Sequence, residues 1–304
     1  MSNKQIAWEK FDGIVSAAAP DGVYTQPWES RAGRLHFVPD TVTLEKLLVV
    51  PLMMDTTSQT AVRALALDVW LSYELRRAGF HPDMTWPRAE PPRVLPMAVS
   101  SLLNAKGLSS EARRELAELI RKTPGASYSE ARVLGKNYAK QVDVVMSDWS
   151  SGPELLISTK RMDSSFGKNA AHRIEEAYGD ARNLRARHPM AALGFLFGLR
   201  SSVLDEAPDT AELLIDLIGK LGREDDAYHA TCLVMMDYED GGEVVKVRDD
   251  LIPFELSMSR FLGYMVNRVL DGSPVTRHRE ARERRAAAMK EQGPGGLGSV
   301  RADA

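Results

Sequence analysis

Two short segments carry residue types suited to phosphate chemistry. In Gln141-Val142-Asp143-Val144-Val145 an aspartate alternates with valines, so in an extended chain its carboxylate faces away from the apolar side chains beside it. In ELLISTK, from Glu154 to Lys160, Ser158 and Lys160 share one face while Ile157 and Thr159 take the other. A turn at Ser151-Gly152-Pro153 joins the segments, and the hairpin so formed brings Asp143 and Lys160 to one side of a sheet. A carboxylate there can hold Mg²⁺ against a phosphate oxygen, and a nearby ammonium can stabilise developing charge or help deprotonate water. Mg²⁺ needs few protein ligands, because water and substrate complete its octahedron.

The surrounding pattern supplies the elements that must position this pair. A short helix is predicted from Tyr128 to about Gly135, then a strand over QVDVVMSDW and a second over ELLISTKRM. A helix follows from about Asn169 to Arg187, and after Pro189 the run MAALGFLFGLR reads as a buried strand. That order indicates an α/β fold with a mixed central sheet and a crossover helix. Downstream, ATCLVMMDYED and EVVKVRDD form a further strand pair, and SMSRFLGYMVNRVL an amphipathic helix. Upstream, the apolar run from Thr43 to Met54 is broken by Pro51. A helix is predicted from about Ser58 to Gly79, on the period of Val62, Leu65, Ala66, Val69, Trp70, Tyr73 and Leu75. A Pro-rich connector from Pro82 to Pro96 leads to a helix from Ser109-Ser110 to Lys122. Thr123-Pro124-Gly125 then separates a mostly helical N-terminal region, 1–125, from a core, 126–271, and a basic tail, 272–304, expected to be disordered.

Bulk properties exclude several classes. The single cysteine, Cys232, rules out an intrachain disulfide, and no Cys/His cluster has zinc-ligand spacing. The N-terminus lacks a secretory apolar region, and the longest apolar stretches, such as Met190 to Leu199, are too short to span a bilayer. These features point to a cytoplasmic protein without a membrane role. The net charge is −3, but between Ala126 and Arg200 there are 11 Lys+Arg against 8 Asp+Glu, a local excess that suits a phosphate-bearing partner.

The element order, with Asp143 on the first strand and Lys160 closing a triplet on the second, resembles the PD-(D/E)xK nuclease superfamily, which includes most type II restriction enzymes. The resemblance covers about Tyr128 to Arg200, and loosely the chain on to Leu270. It implies a restriction-endonuclease-like core that hydrolyses duplex DNA with Mg²⁺. It also implies a homodimer, a cognate DNA methyltransferase encoded separately, and an N-terminal region that wraps DNA or forms the dimer contact. Val142 stands where the family often has Pro, and Ser158 stands where a second acid belongs. The triplet Ser158-Thr159-Lys160 matches a subgroup that takes this carboxylate from the following helix, where Glu175 and Glu176 are the candidates. With Ala170, Ile174, Ala177, Tyr178, Ala181 and Leu184 as the sheet-facing stripe, Glu175 lies nearer its edge and Glu176 points away, which favours Glu175. Glu130, on the helix expected before the Asp strand, is another candidate metal ligand, as are Glu154 and Asp163. Lys168, Asn169, His172 and Arg173, at the mouth of the helix, are expected to meet DNA phosphates. Two other readings compete: a catalytically silent DNA-binding member of the same fold, and an α/β adaptor without a nucleic-acid role.

Overall fold

The computed structural model describes residues 2–54 and 62–290, with the side chains of Lys168 and Asn169 outside the description. The chain begins with α1 (Asn3–Ala18), the hairpin β1 (Trp28–Arg31) and β2 (Arg34–Phe37), then α2 (Thr41–Met53) and α3 (Val62–Arg77). The short strand β3 (Thr85–Trp86) leads to α4 (Met97–Leu103) and α5 (Ser110–Lys122). A second hairpin, β4 (Ala131–Leu134) and β5 (Ala139–Val142), runs into β6 (Val144–Asp148) and β7 (Gly152–Met162). Then come α6 (Phe166–Arg185), β8 (Ala192–Arg200), α7 (Val203–Glu206), α8 (Pro208–Leu221), β9 (Ala230–Asp237), β10 (Lys246–Val247), α9 (Met258–Gly272) and α10 (Arg279–Lys290).

The fold is α/β, built on a mixed six-stranded sheet in the order β10-β9-β8-β7-β6-β3. The strands β7, β8 and β9 are parallel, and the neighbours on either side are antiparallel. Parallel strands need crossovers, and α6 and α7–α8 supply them. The continuous apolar run of β8 follows from its central position, where helices cover both faces. Val144, Met146, Ile157 and Leu196 look toward α1, α2, α3 and α9, whereas Val145, Leu156, Phe195 and Phe197 look toward α6 and α8. The first of these cores runs from Ala7 to Ala288, so α1–α3 share it with the sheet. Among the described residues no helix is long and apolar enough to cross a membrane.

Several local expectations are corrected. The segment expected as a helix from Tyr128 to Gly135 holds β4 instead, because its turn is seized by α6: Asn183 Oδ1 accepts from Asn137 N at 2.9 Å and its Nδ2 donates to Tyr138 O at 3.1 Å. Helix α2 continues past Pro51 to Met53. Helix α8, not anticipated, packs through Ala211, Leu214, Ile218 and Leu221. The basic tail was expected to be disordered from 272; as far as Lys290 it is ordered, with α10 docked through Ala281, Ala288 and its arginines. Arg282 Nη2 closes the end of α9 by donating to Leu270 O and to Ser273 O at 2.9 Å, satisfying carbonyls that a helix end leaves free. Residues 291–304 lie outside the described residues.

Candidate active site

The pairing of β6 with β7 starts at Val144 opposite Ile157, while β7 runs on to Met162. Beyond this point the edge of β7 lacks a partner strand, and the carboxylate of Asp143 fills in: its Oδ2 accepts from Thr159 N at 2.8 Å. The Thr159 side chain leaves the other face and donates to Asp68 Oδ1 on α3 at 2.5 Å. Asp68 is the residue that sequence reasoning missed. From Ala66 to Arg77 every residue of α3 is buried, so a carboxylate there requires a partner. An acid flanked by Leu65-Ala66-Leu67 and Val69-Trp70-Leu71 is the available signal.

Burial, and then the charge of Asp143, push the Asp68 carboxyl well above the usual carboxylate range, against the Thr159 hydroxyl and Lys4. Asp143 is also raised, by burial, although the Thr159 N–H and the charges of Lys160 and Lys140 oppose it. The pair borders a cavity of about 60 Å³, also lined by Lys4, Trp86, Glu130 and Gln141. That is room for a few water-sized groups and too little for a nucleobase.

Lys160 and Ser158 lie on the α6 side of β7. The Lys160 ammonium is 3.1 Å from Glu176 Oε2, and Lys140 on β5 lies 3.3 Å from Glu176 Oε1 and 2.6 Å from Asp180 Oδ2. Partial burial of Glu176 favours its neutral form, but the bonds from Lys160 and Lys140 prevail and hold its pKa low. Glu175 is 76% exposed, and its Oε2 lies 3.9 Å from His172 Nδ1. The helical phase expected from the sequence is therefore reversed: Glu176 faces the site. Counting only apolar residues, with Tyr178 among them, centred the stripe too far to one side; buried Asp180 and Asn183 extend it toward Glu176. Ser158 is buried against Tyr228, whose hydroxyl is raised by that burial and by the charges of Asp180, Asp143 and Glu176.

The remaining candidates are scattered. Glu130 sits at the cavity rim, 3.2 Å from Lys4. Glu154 binds Arg277 at 2.9 Å and His278 at 2.5 Å. Asp163 is buried with Arg161 and Tyr238. His172 is exposed, and Lys168 and Asn169 have side chains outside the described residues. Arg173 lies one turn before Glu176 on the same helical face, and it has no carboxylate partner among the described residues.

Among the described residues no three His, Cys, Asp or Glu side chains converge as a metal site. The pair Asp68 and Asp143 still suits a hard cation carried mostly by water, since two buried carboxylates of like charge call for either a proton or a positive ion. Lys140 and Lys160 are shared among Asp143, Glu176 and Asp180, while the charge that reaches Asp68 is that of Lys4. Comparison with family models, curated proteins and solved structures gave no match.

Proposed function

We propose that this protein is a Mg²⁺-dependent endonuclease of the restriction type, hydrolysing phosphodiester bonds of duplex DNA in the cytoplasm as a homodimer. The observation that carries the reading is the Asp143 carboxylate, bonded to Thr159 N next to Lys160 at the notch where β6 leaves β7, with Asp68 on the same threonine's hydroxyl.

In this reading Asp68 and Asp143 hold Mg²⁺, and Thr159 keeps both carboxylates in register through its N–H and hydroxyl. Mg²⁺ bound there would supply Lewis acidity toward a phosphate oxygen and toward water. Lys160 stabilises the charge that develops on the phosphate, and Glu176 fixes the direction of its ammonium. Arg173, without a carboxylate partner among the described residues, receives a neighbouring phosphate. The acid that Ser158 does not supply comes from α3 rather than from α6. A homodimer follows from the need for two centres to cut two strands, and protection of the host genome would then fall to a separate methyltransferase.

One specific observation favours the silent DNA-binding alternative: Lys160 is already neutralised by Glu176. Incubating supercoiled plasmid with the protein in Mg²⁺, in Ca²⁺ and in chelator tests the proposal. Nicked and linear DNA in Mg²⁺ alone is the expected result. Salt-dependent binding without cutting in Mg²⁺ or Mn²⁺ would favour the silent form, and absence of binding would remove the nucleic-acid reading altogether.

A further inference from the structure

Two adjoining cavities share Lys4, Trp8, Arg93 and Ser129 in their walls, so these residues border both. The inner one ends on Asp68 and Asp143; the outer one opens between α1 and Ser127–Ser129, with Arg121 at its margin. Helix α1 is anchored by Ala7, Phe11 and Val15, all buried, so Lys4 on its first turn is a fixed feature of the wall. Arg93 is committed elsewhere: it binds Asp12 at 2.7 Å and two backbone carbonyls, and its guanidinium lies 3.9 Å over the Trp8 ring. Lys4 is different. It is 44% exposed, its only ion-pair partner among the described residues is Glu130 at 3.2 Å, and its charge reaches Asp68.

We infer that Lys4 is a substrate-binding residue of this site, its ammonium exchanging Glu130 for a phosphate oxygen of the strand that enters the outer cavity. The inference rests on the nuclease reading. An exposed lysine–carboxylate pair is weakly held, and a DNA phosphate offers Lys4 the same single charge while release of the condensed counterions of DNA favours the exchange. Glu130 then has two effects: it orients Lys4 before substrate arrives, and it opposes the incoming anion.

The two partners of this ion pair therefore predict opposite outcomes. Binding of a short DNA duplex is measured in Ca²⁺ over a series of salt concentrations, with thermal unfolding of each variant as control. Lys4→Gln is expected to weaken binding several-fold and reduce the salt slope by about 1, while Lys4→Arg keeps both. Glu130→Gln is expected to tighten binding. If the wild type cuts DNA but Lys4→Gln and Glu130→Gln both leave binding unchanged, or both weaken it, the pair is only a strut and the inference fails while the nuclease reading stands. If the wild type neither binds nor cuts, both fall together. Should Lys4→Gln not fold, Glu130→Gln and Lys4→Arg carry the same test.

Discussion

Asp68 on α3 and Asp143 ahead of β6 both accept hydrogen bonds from one residue, Thr159: Asp143 takes the backbone N–H and Asp68 the hydroxyl. This shared partner draws two buried carboxylates together at the open edge of a sheet. The charge of Asp143 raises the cost of ionising Asp68, so the arrangement opposes folding stability unless a proton or a cation offsets it.

Asp68→Asn tests that conflict. A carboxyl whose pKa is raised on folding contributes stability that is present at low pH and lost as pH rises through the folded value. That stability falls once pH exceeds the unfolded carboxylate value, whereas an amide, which can still accept from Thr159, carries no charge to bury. The variant is expected to gain about 1 kcal/mol, of the order of 2 °C in Tm, and to lose cleavage. Added Mg²⁺ should raise the Tm of the wild type and leave that of Asp68→Asn unchanged. A variant less stable than the wild type at pH 7 would show that the pair is not in conflict.

Glu176→Gln is expected to slow cleavage about 10–100-fold, as loss of an orienting partner does, with Glu175→Gln near wild type. Because Glu176 acts through Lys160, the pH–rate profile should shift together with the rate. Equal rates for both variants would remove Glu176 from the site.

Ser158→Ala should retain cleavage, since the hydroxyl is buried against Tyr228 and supplies no ligand. Ser158→Glu should lose about 1–3 kcal/mol from overpacking and should not increase cutting. Increased cutting by Ser158→Glu, from an inactive wild type, would instead uphold the silent-member reading.

His229 sets an acid limit on stability. Its Nδ1 accepts from Leu193 N at 2.9 Å, and burial, with the charges of Arg268 and Arg185, lowers its pKa from 6.5 to about 4. A depressed value means stability that is full above 6.5 and lost as pH falls toward 4. His229→Gln should flatten the decline of Tm between those pH values; an unchanged slope would contradict the assignment.

What could be read from the sequence followed its periodicity. The alternation in ISTK matches the opposite sides taken by Thr159 and Lys160, and the apolar runs match β8 and α9. What could not be read depends on contacts between distant segments. Asp68 becomes part of the site only because α3 packs on β7, and Glu176 turns inward only because Asn183 and Asp180 meet the β4–β5 hairpin. Polar residues buried by partners far along the chain look like solvated ones in any local pattern.

The central claim is that Asp143 holds the catalytic cation. Its most direct test is the single-turnover cleavage of a DNA duplex in Mg²⁺ by the wild type and by Asp143→Asn, with binding in Ca²⁺ measured on the same preparations. The account predicts that the wild type cuts and that Asp143→Asn binds with similar affinity but does not cut. Cleavage by Asp143→Asn at the wild-type rate would contradict it.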